Sequence, residues 1–265
     1  MAQSALLTVM VNAVRKAGRA LVRDFGEIEN LQVSPKGPGD FVTNADKKAE
    51  KILYEELSKA RPAWGFLMEE SGSVEGQDKQ HRWIIDPLDG TINFMHGLPL
   101  FAVNVALERA GVIQAAVTYN PIYDELFTAE RGSGAFCNDR RMRVAGRRRM
   151  EDAIVATGIP HLGRGNHPAY LQDLAGFMSN TSGIRRTGAA AIDLAWTAMG
   201  RLDGYWEVGI HPWDIAAGIL LVREAGGFVS DIHGRDKMFE TGTIVVGNEH
   251  MHQLMLKKLA DTSTV

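Results

Sequence analysis

The chain has 265 residues, 45% of them hydrophobic, which suits one large domain or two closely packed halves around a sizeable core. A formal net charge of −3 excludes a global attraction to nucleic acid or membrane, so such a partner would need a local patch. The single Cys137 excludes an intrachain disulfide framework, which fits a reducing cytosol, and no charged-then-apolar leader or run of 18 apolar residues is found.

Apolar residues at Leu6, Met10, Ala13, Ala17 and Leu21 form a helical stripe, with Arg15, Arg19 and Arg23 outside it, so Ala5 to Phe25 reads as a core-covering helix. Val33 to Asp40 carries two Pro and two Gly and reads as a loop with the composition of a mobile segment. Thr43 or Asn44 then caps a helix from Ala45 to Ala60, with Asp46 in its first turn. Trp64 to Met68 is a short strand that delivers Glu69 and Glu70 to a loop.

Trp83 to Ile85 is bulky and β-branched, a buried strand expected to end at Asp86, because Pro87 cannot extend the ladder and Gly90 permits a tight turn. Asp86 and Asp89 then share the strand's C-terminal mouth. If Gly90 to Phe94 starts a helix, its free amides point to the same place and suit a phosphate. Two acids beside an anion site repel one another unless a cation lies between them, which calls for a hard divalent metal such as Mg²⁺.

Phe101 to Glu108 and Val112 to Tyr119 read as a hairpin about Arg109-Ala110-Gly111, with further strands at Glu125 to Ala129 and Gly134 to Asn138. The concentration Arg140, Arg141, Arg143, Arg147, Arg148 and Arg149 reads as a solvated face, with docking of an acidic partner the alternative. Beyond it β and α alternate: strands at Ala153 to Thr157, Ile184 to Arg186 and Gly204 to Val208, and helices at Pro168 to Met178, Ala190 to Met199 and Asp214 to Ala225. Strands at Phe228 to Ser230 and Thr243 to Val246 and a helix from Glu249 to Leu259 complete it. The fold class is therefore α/β, an α+β half over 1–148 followed by an α/β half over 149–265.

Asp214 follows His211-Pro212-Trp213 at a helix start, and small residues behind it allow close approach to the acids at Asp86 and Asp89. Singly, Asp before Pro is a common turn former and Asp at a helix start a common cap. His211 is set aside as a ligand, because Mg²⁺ prefers oxygen. An aspartyl-nucleophile phosphatase would need an acid two residues before Asp89, where Pro87 stands. No nucleotide phosphate loop occurs, and Gly132-Ser133-Gly134 reads as a turn.

Met68-Glu69-Glu70-Ser71, the run Asp86 to Phe94, and Trp213 to Gly218 resemble, in order and spacing, the signatures of the inositol monophosphatase family. The resemblance covers nearly the whole chain, including Asp40 to Asp46, Arg186 to Ala191 and Gly204 to Glu207, and it is strongest for bacterial members, some of which also act in ribosomal-RNA transcription antitermination. It implies the layered αβαβα sandwich of the sugar phosphatases, two or three Mg²⁺ ions, inhibition by Li⁺, a cytoplasmic homodimer and inositol 1-phosphate as substrate. Fructose 1,6-bisphosphate or another sugar or nucleotide phosphate is the alternative, as is a regulator docking on RNA polymerase or the antitermination complex.

By the same resemblance, Glu69, Asp86 and the Leu88 carbonyl hold one metal, and Asp86, Asp89 and Asp214 a second. Glu69 with water holds a third, which makes Glu69 catalytic along with Thr91 and Asp46, the pair implied to orient and deprotonate the attacking water. Gly90 and Thr91 amides cradle phosphate, while Asp89, the Ala190 backbone and Glu207 meet the hydroxyls of the alcohol.

Overall fold

The computed structural model describes residues 4–27, 33–37, 40–162 and 165–262. Two helices, α1 (Ala5–Phe25) and α2 (Asn44–Ala60), flank a hairpin of β1 (Val33–Gly37) and β2 (Asp40–Thr43). The segment expected to be a loop is thus largely paired strand, with residues 38 and 39 outside the described set; Pro35 is accommodated because this two-stranded sheet is all edge.

Eight strands follow: β3 (Trp64–Met68), β4 (Gly72–Val74), β5 (Asp78–Asp89), β6 (Ala102–Arg109), β7 (Val112–Asn120), β8 (Glu125–Glu130), β9 (Gly134–Cys137) and β10 (Arg140–Arg141). They form one sheet in the order β10-β9-β8-β7-β6-β5-β3-β4, antiparallel except for β3 beside β5. The β6–β7 hairpin turns through Ala110 and Gly111, both at positive φ, as a two-residue turn matched to strand twist requires. The helix α3 (Thr91–Met95) leaves the end of β5.

A second sheet, in the order β12-β11-β13-β15-β14, contains β11 (Ile154–Thr157), β12 (Gly183–Arg185), β13 (Gly204–Val208), β14 (Phe228–Ser230) and β15 (Thr243–Gly247). Between these strands run α4 (His167–Met178), α5 (Ala190–Ala198), α6 (Pro212–Glu224) and α7 (Met238–Thr241), and α8 (Glu249–Thr262) ends the described chain. The short α7, β4 and β10 carry too few residues to show a period, which is why the sequence pattern did not mark them.

Side-chain alternation builds the layers. In β5 Trp83 and Ile85 pack with α1 and α2, while Ile84 faces α5 and α6. Tyr205 and Val246 of the second sheet reach the same α5–α6 layer; Trp206 and Val245 face the opposite way, against Phe177 of α4 and Met251 and Met255 of α8. The result is an α–β–α–β–α sandwich. Ile215 to Val222 of α6 are all buried because that helix lies between two sheets, so it carries no amphipathic stripe.

Candidate active site

The expected strand end at Asp86 is not observed: β5 runs on through Pro87 and Leu88 to Asp89. Asp86 pairs with Asn104 and Asp89 with Ala102, so three steps on β5 oppose two on β6, and the extra residue is a bulge. Residues three apart in a regular strand face opposite ways; the added residue restores Asp86 and Asp89 to one side. Pro87 is tolerated there because the bulge interrupts the ladder that its missing N–H would weaken. β3 runs parallel to β5 with Met68 opposite Ile85, so Glu69 arrives beside Asp86, and its amide donates to the Ile85 carbonyl at 3.2 Å.

Asp214, in the first turn of α6, accepts from the His211 amide at 2.8 Å, and Asn104 Nδ2 holds the Asp214 carbonyl at 3.0 Å. Asp89 Oδ2 accepts from the Ala191 amide at 2.6 Å, and Asp86 Oδ1 from the Leu88 amide at 2.9 Å. Burial, then repulsion from Glu69, Asp89 and Asp214, pushes Asp86 well above the ordinary carboxyl range. Burial and Asp214 do the same to Asp89, against the Ala191 bond. Asp214 retains some exposed surface, yet its carboxyl lies deep among protein atoms, and burial above all pushes it up to about 8. Asp86 is therefore close enough to both Glu69 and Asp214 for the three carboxyls to share one electrostatic environment. Among the described residues no three His, Cys, Asp or Glu groups stand as a ready-made ligand trio. The all-oxygen character of the cluster and its mutual repulsion nevertheless suit a hard divalent cation, with the Leu88 carbonyl an added donor.

Asp46 is fully buried, and its two oxygens are differently engaged. Oδ2 accepts from the Thr43 amide at 2.9 Å and from the Thr43 hydroxyl, closing a capping box on α2. Oδ1 accepts from Thr91 Oγ1 at 3.0 Å, a hydroxyl that also lies 3.1 Å from the Leu88 carbonyl. Burial raises the Asp46 carboxyl, opposed by the Thr43 and Thr91 bonds. Gly90, at φ +93°, starts α3, and a Cβ there would stand 2.9 Å from the Leu100 carbonyl oxygen. With only five residues, α3 adds little dipole, so attraction for an anion there rests on the amides themselves.

Glu69, Asp89, Thr91, Ala190, Glu207 and Asp214 line one cavity of about 410 Å³. Glu207 accepts from the Tyr205 hydroxyl; burial raises its carboxyl, while Tyr205, Arg186 and His161 act against the rise. Gly158 makes room for it, since a Cβ there would meet Glu207 Oε1 at 1.9 Å.

Sequence reasoning missed five contributors, one of them Asp193, which also lines the cavity. Asn93, buried, spans the Leu100 carbonyl at 2.6 Å and the Thr187 carbonyl at 2.8 Å, tying α3 to the segment before α5. Asn104 lies in a strand whose apolar pattern hides it. Arg186 and His161 also line the cavity; Arg186 stood in a family-like segment, whereas His161 lies in Gly- and Pro-rich chain without periodicity. The arginine stretch does not share this cavity: Arg147 pairs with buried Asp203 at 3.1 Å, and Arg149 with Glu151 and Asp152. Arg140, Arg141 and Arg143 are exposed near the sheet edge.

The sequence model of the inositol monophosphatase family matches residues 2–264. The chain is 63% identical to an inositol-1-monophosphatase of Mesorhizobium japonicum over 97% of each protein. It is 43% identical to the Nus factor SuhB of Escherichia coli K12, over 97% of this chain and 96% of that one. The crystal structure of an extragenic suppressor protein suhB from Bartonella henselae superposes with a TM-score of 0.95 at 60% identity, over 97% of this chain and 98% of that one.

Proposed function

Since the chain belongs to the inositol monophosphatase family, we propose that it hydrolyses inositol 1-phosphate to inositol and phosphate by direct attack of water, with Mg²⁺ as cofactor. The observation that carries this reading is the convergence of Glu69, Asp86, Asp89 and Asp214 on one cavity wall and the layer just behind it, where each raises or feels the charge of the others. So much buried like charge is costly unless a cation neutralises it.

Glu69, Asp86 and the Leu88 carbonyl would hold one ion, Asp86, Asp89 and Asp214 a second, and Glu69 with water a third. Bound there, Mg²⁺ supplies a Lewis acid for the phosphate and the departing oxygen. Thr91 accepts a proton from the attacking water as its own hydroxyl proton passes to Asp46 Oδ1, the acceptor it already faces at 3.0 Å. The raised Asp46 carboxyl is better matched to this task than an ordinary one. Amides of Gly90 and Thr91 receive phosphate oxygens. The new P–O bond forms in line as the bond to the alcohol breaks, the alkoxide takes a proton from water, and no phosphoenzyme forms. Asp89, Glu207 and the Ala190 backbone meet the hydroxyls of the alcohol. On this reading residues 1–148 contribute the metal-binding and water-activating groups, and residues 149–265 complete the site with Asp214 and Glu207.

A phosphate-release assay over inositol, sugar and nucleotide phosphates, with Mg²⁺ and after EDTA, tests the reading. Inositol 1-phosphate should lead and EDTA should silence it; preference for fructose 1,6-bisphosphate or a nucleotide would name another substrate. A second role, docking on the transcription antitermination machinery, draws support from the likeness to a Nus factor. The engaged Arg147 and Arg149 add nothing to it. We take the active form as a cytoplasmic homodimer inhibited by Li⁺; among the described residues no helix is long and apolar enough to cross a membrane.

A further inference from the structure

Among the described residues, six side chains bury a polar atom that finds no hydrogen-bond partner. Of these only His161 and Asp193 line the cavity that contains the acids. Buried polar groups are nearly always paired, so an unpaired atom in the wall of a preformed cavity marks where a ligand's own polar group belongs.

Both side chains are half fixed. His161 Nδ1 lies 3.1 Å from the Ile159 carbonyl oxygen, which requires the hydrogen on Nδ1 and leaves Nε2 as the ring atom without a partner. Asp193, 2% exposed, accepts from Thr187 Oγ1 at 2.8 Å through Oδ2, while Oδ1 is idle. Glu207 repeats the pattern, with Oε2 taken by the Tyr205 hydroxyl. These groups form a neighbourhood: Glu207 acts electrostatically on Asp193, and His161 on Glu207. Gly158 lies against the Glu207 carboxylate, so the wall there is backbone without bulk.

We propose that His161 and Asp193 join Glu207 in a hydroxyl-recognition subsite of the cavity, specific for a polyhydroxylated alcohol as leaving group. This rests on the phosphatase reading above and deepens it by assigning specificity to two residues. The chemistry follows from the atoms left over. A ring carrying several hydroxyls, each able to donate or accept, offers a partner to each idle atom, whereas an aryl leaving group offers no hydroxyl. A site whose buried polar atoms need partners discriminates strongly against a ligand that lacks them. Thr187 and Ile159 serve as the orienting partners that keep the idle atoms in place.

The variants are His161→Phe, which removes Nε2, and Asp193→Asn, which keeps an oxygen for Thr187 and replaces the idle one by an amide. Each is assayed with Mg²⁺ on inositol 1-phosphate and on an aryl phosphate, with free inositol and inorganic phosphate as product inhibitors and melting temperature on the same samples. The ratio of kcat/KM between the two esters should fall about tenfold in each variant, with a matching rise in the inhibition constant of inositol but not of phosphate. An unchanged ratio would overturn the subsite, as would an equal loss on both esters accompanied by a lower melting temperature, which marks packing alone. A wild-type protein without phosphatase activity would overturn the reading of the whole site; an active wild type whose variants keep its ratio overturns only the subsite.

Discussion

Thr91 Oγ1 donates to Asp46 Oδ1 at 3.0 Å across 45 residues of sequence, joining the start of α3 to the first turn of α2. Asp46 is thereby a helix cap through one oxygen and a proton acceptor through the other. If Thr91 relays the proton of the attacking water, Thr91→Ala should lower kcat on the order of 10²-fold or more while KM shifts little. Asp46→Asn should lower kcat similarly, with a modest loss of stability from the altered cap. Steady-state kinetics and melting curves check both. A wild-type kcat in Thr91→Ala would remove the hydroxyl from the mechanism.

Asp86→Asn and Asp214→Asn each delete a unit of negative charge from the cluster. Both should abolish measurable phosphate release and weaken Mg²⁺ binding, as should chelation of the wild type. Calorimetric titration of metal alongside the assay separates lost binding from lost chemistry. Full activity after exhaustive EDTA treatment would contradict the metal reading.

Stability of the metal-free protein should depend on pH in a direction set by the same carboxyls. Burial chiefly pushes Asp214 up to about 8, and Asp86 and Asp89 are raised well above the ordinary range. A carboxyl whose pKa is higher folded than unfolded favours the fold while protonated. That contribution is full below about pH 4, the unfolded value, and is lost as pH rises through the folded value. Melting temperature in EDTA should therefore fall from about pH 5 to about pH 9, and added Mg²⁺ should restore more of it at the alkaline end. A metal-free melting temperature that climbs over this range would count against the buried cluster.

Gly158→Ala tests the placement of Glu207 without touching the carboxylate. The new Cβ would stand 1.9 Å from Oε1, so Glu207 must move, and backbone strain is not an issue because φ at this glycine is not positive. The variant should reproduce Glu207→Gln, losing roughly 10- to 150-fold in kcat/KM on a polyol phosphate through the displaced charged hydrogen bond. Hydrolysis of an aryl phosphate by the same samples serves as the comparison. Equal losses on both esters would refute a recognition role for Glu207.

Asn93→Ala should destabilise by about 2–4 kcal/mol, since it strands the Leu100 and Thr187 carbonyls that the buried amide now satisfies. Urea unfolding with an unchanged slope checks it.

Much of the architecture was legible in the residues because secondary structure answers to local period. α1 is helical over Ala5–Phe25 as its stripe predicts, and β3 spans Trp64–Met68 as its apolar run predicts. The acids at Glu69, Asp86, Asp89 and Asp214 were likewise conspicuous, each beside a strand end or helix start. What the chain could not reveal locally was their convergence. That depends on a one-residue bulge between Asp86 and Asp89, on parallel pairing that brings Glu69 beside Asp86, and on the burial of α6 between two sheets. Register and layer order are set by long-range pairing, where a slip of one residue reverses every side chain while leaving the local pattern untouched. His161 and Asp193 lay beyond local reading for a related reason: a missing hydrogen-bond partner is a property of the whole surrounding shell, and only the assembled fold brings that shell together.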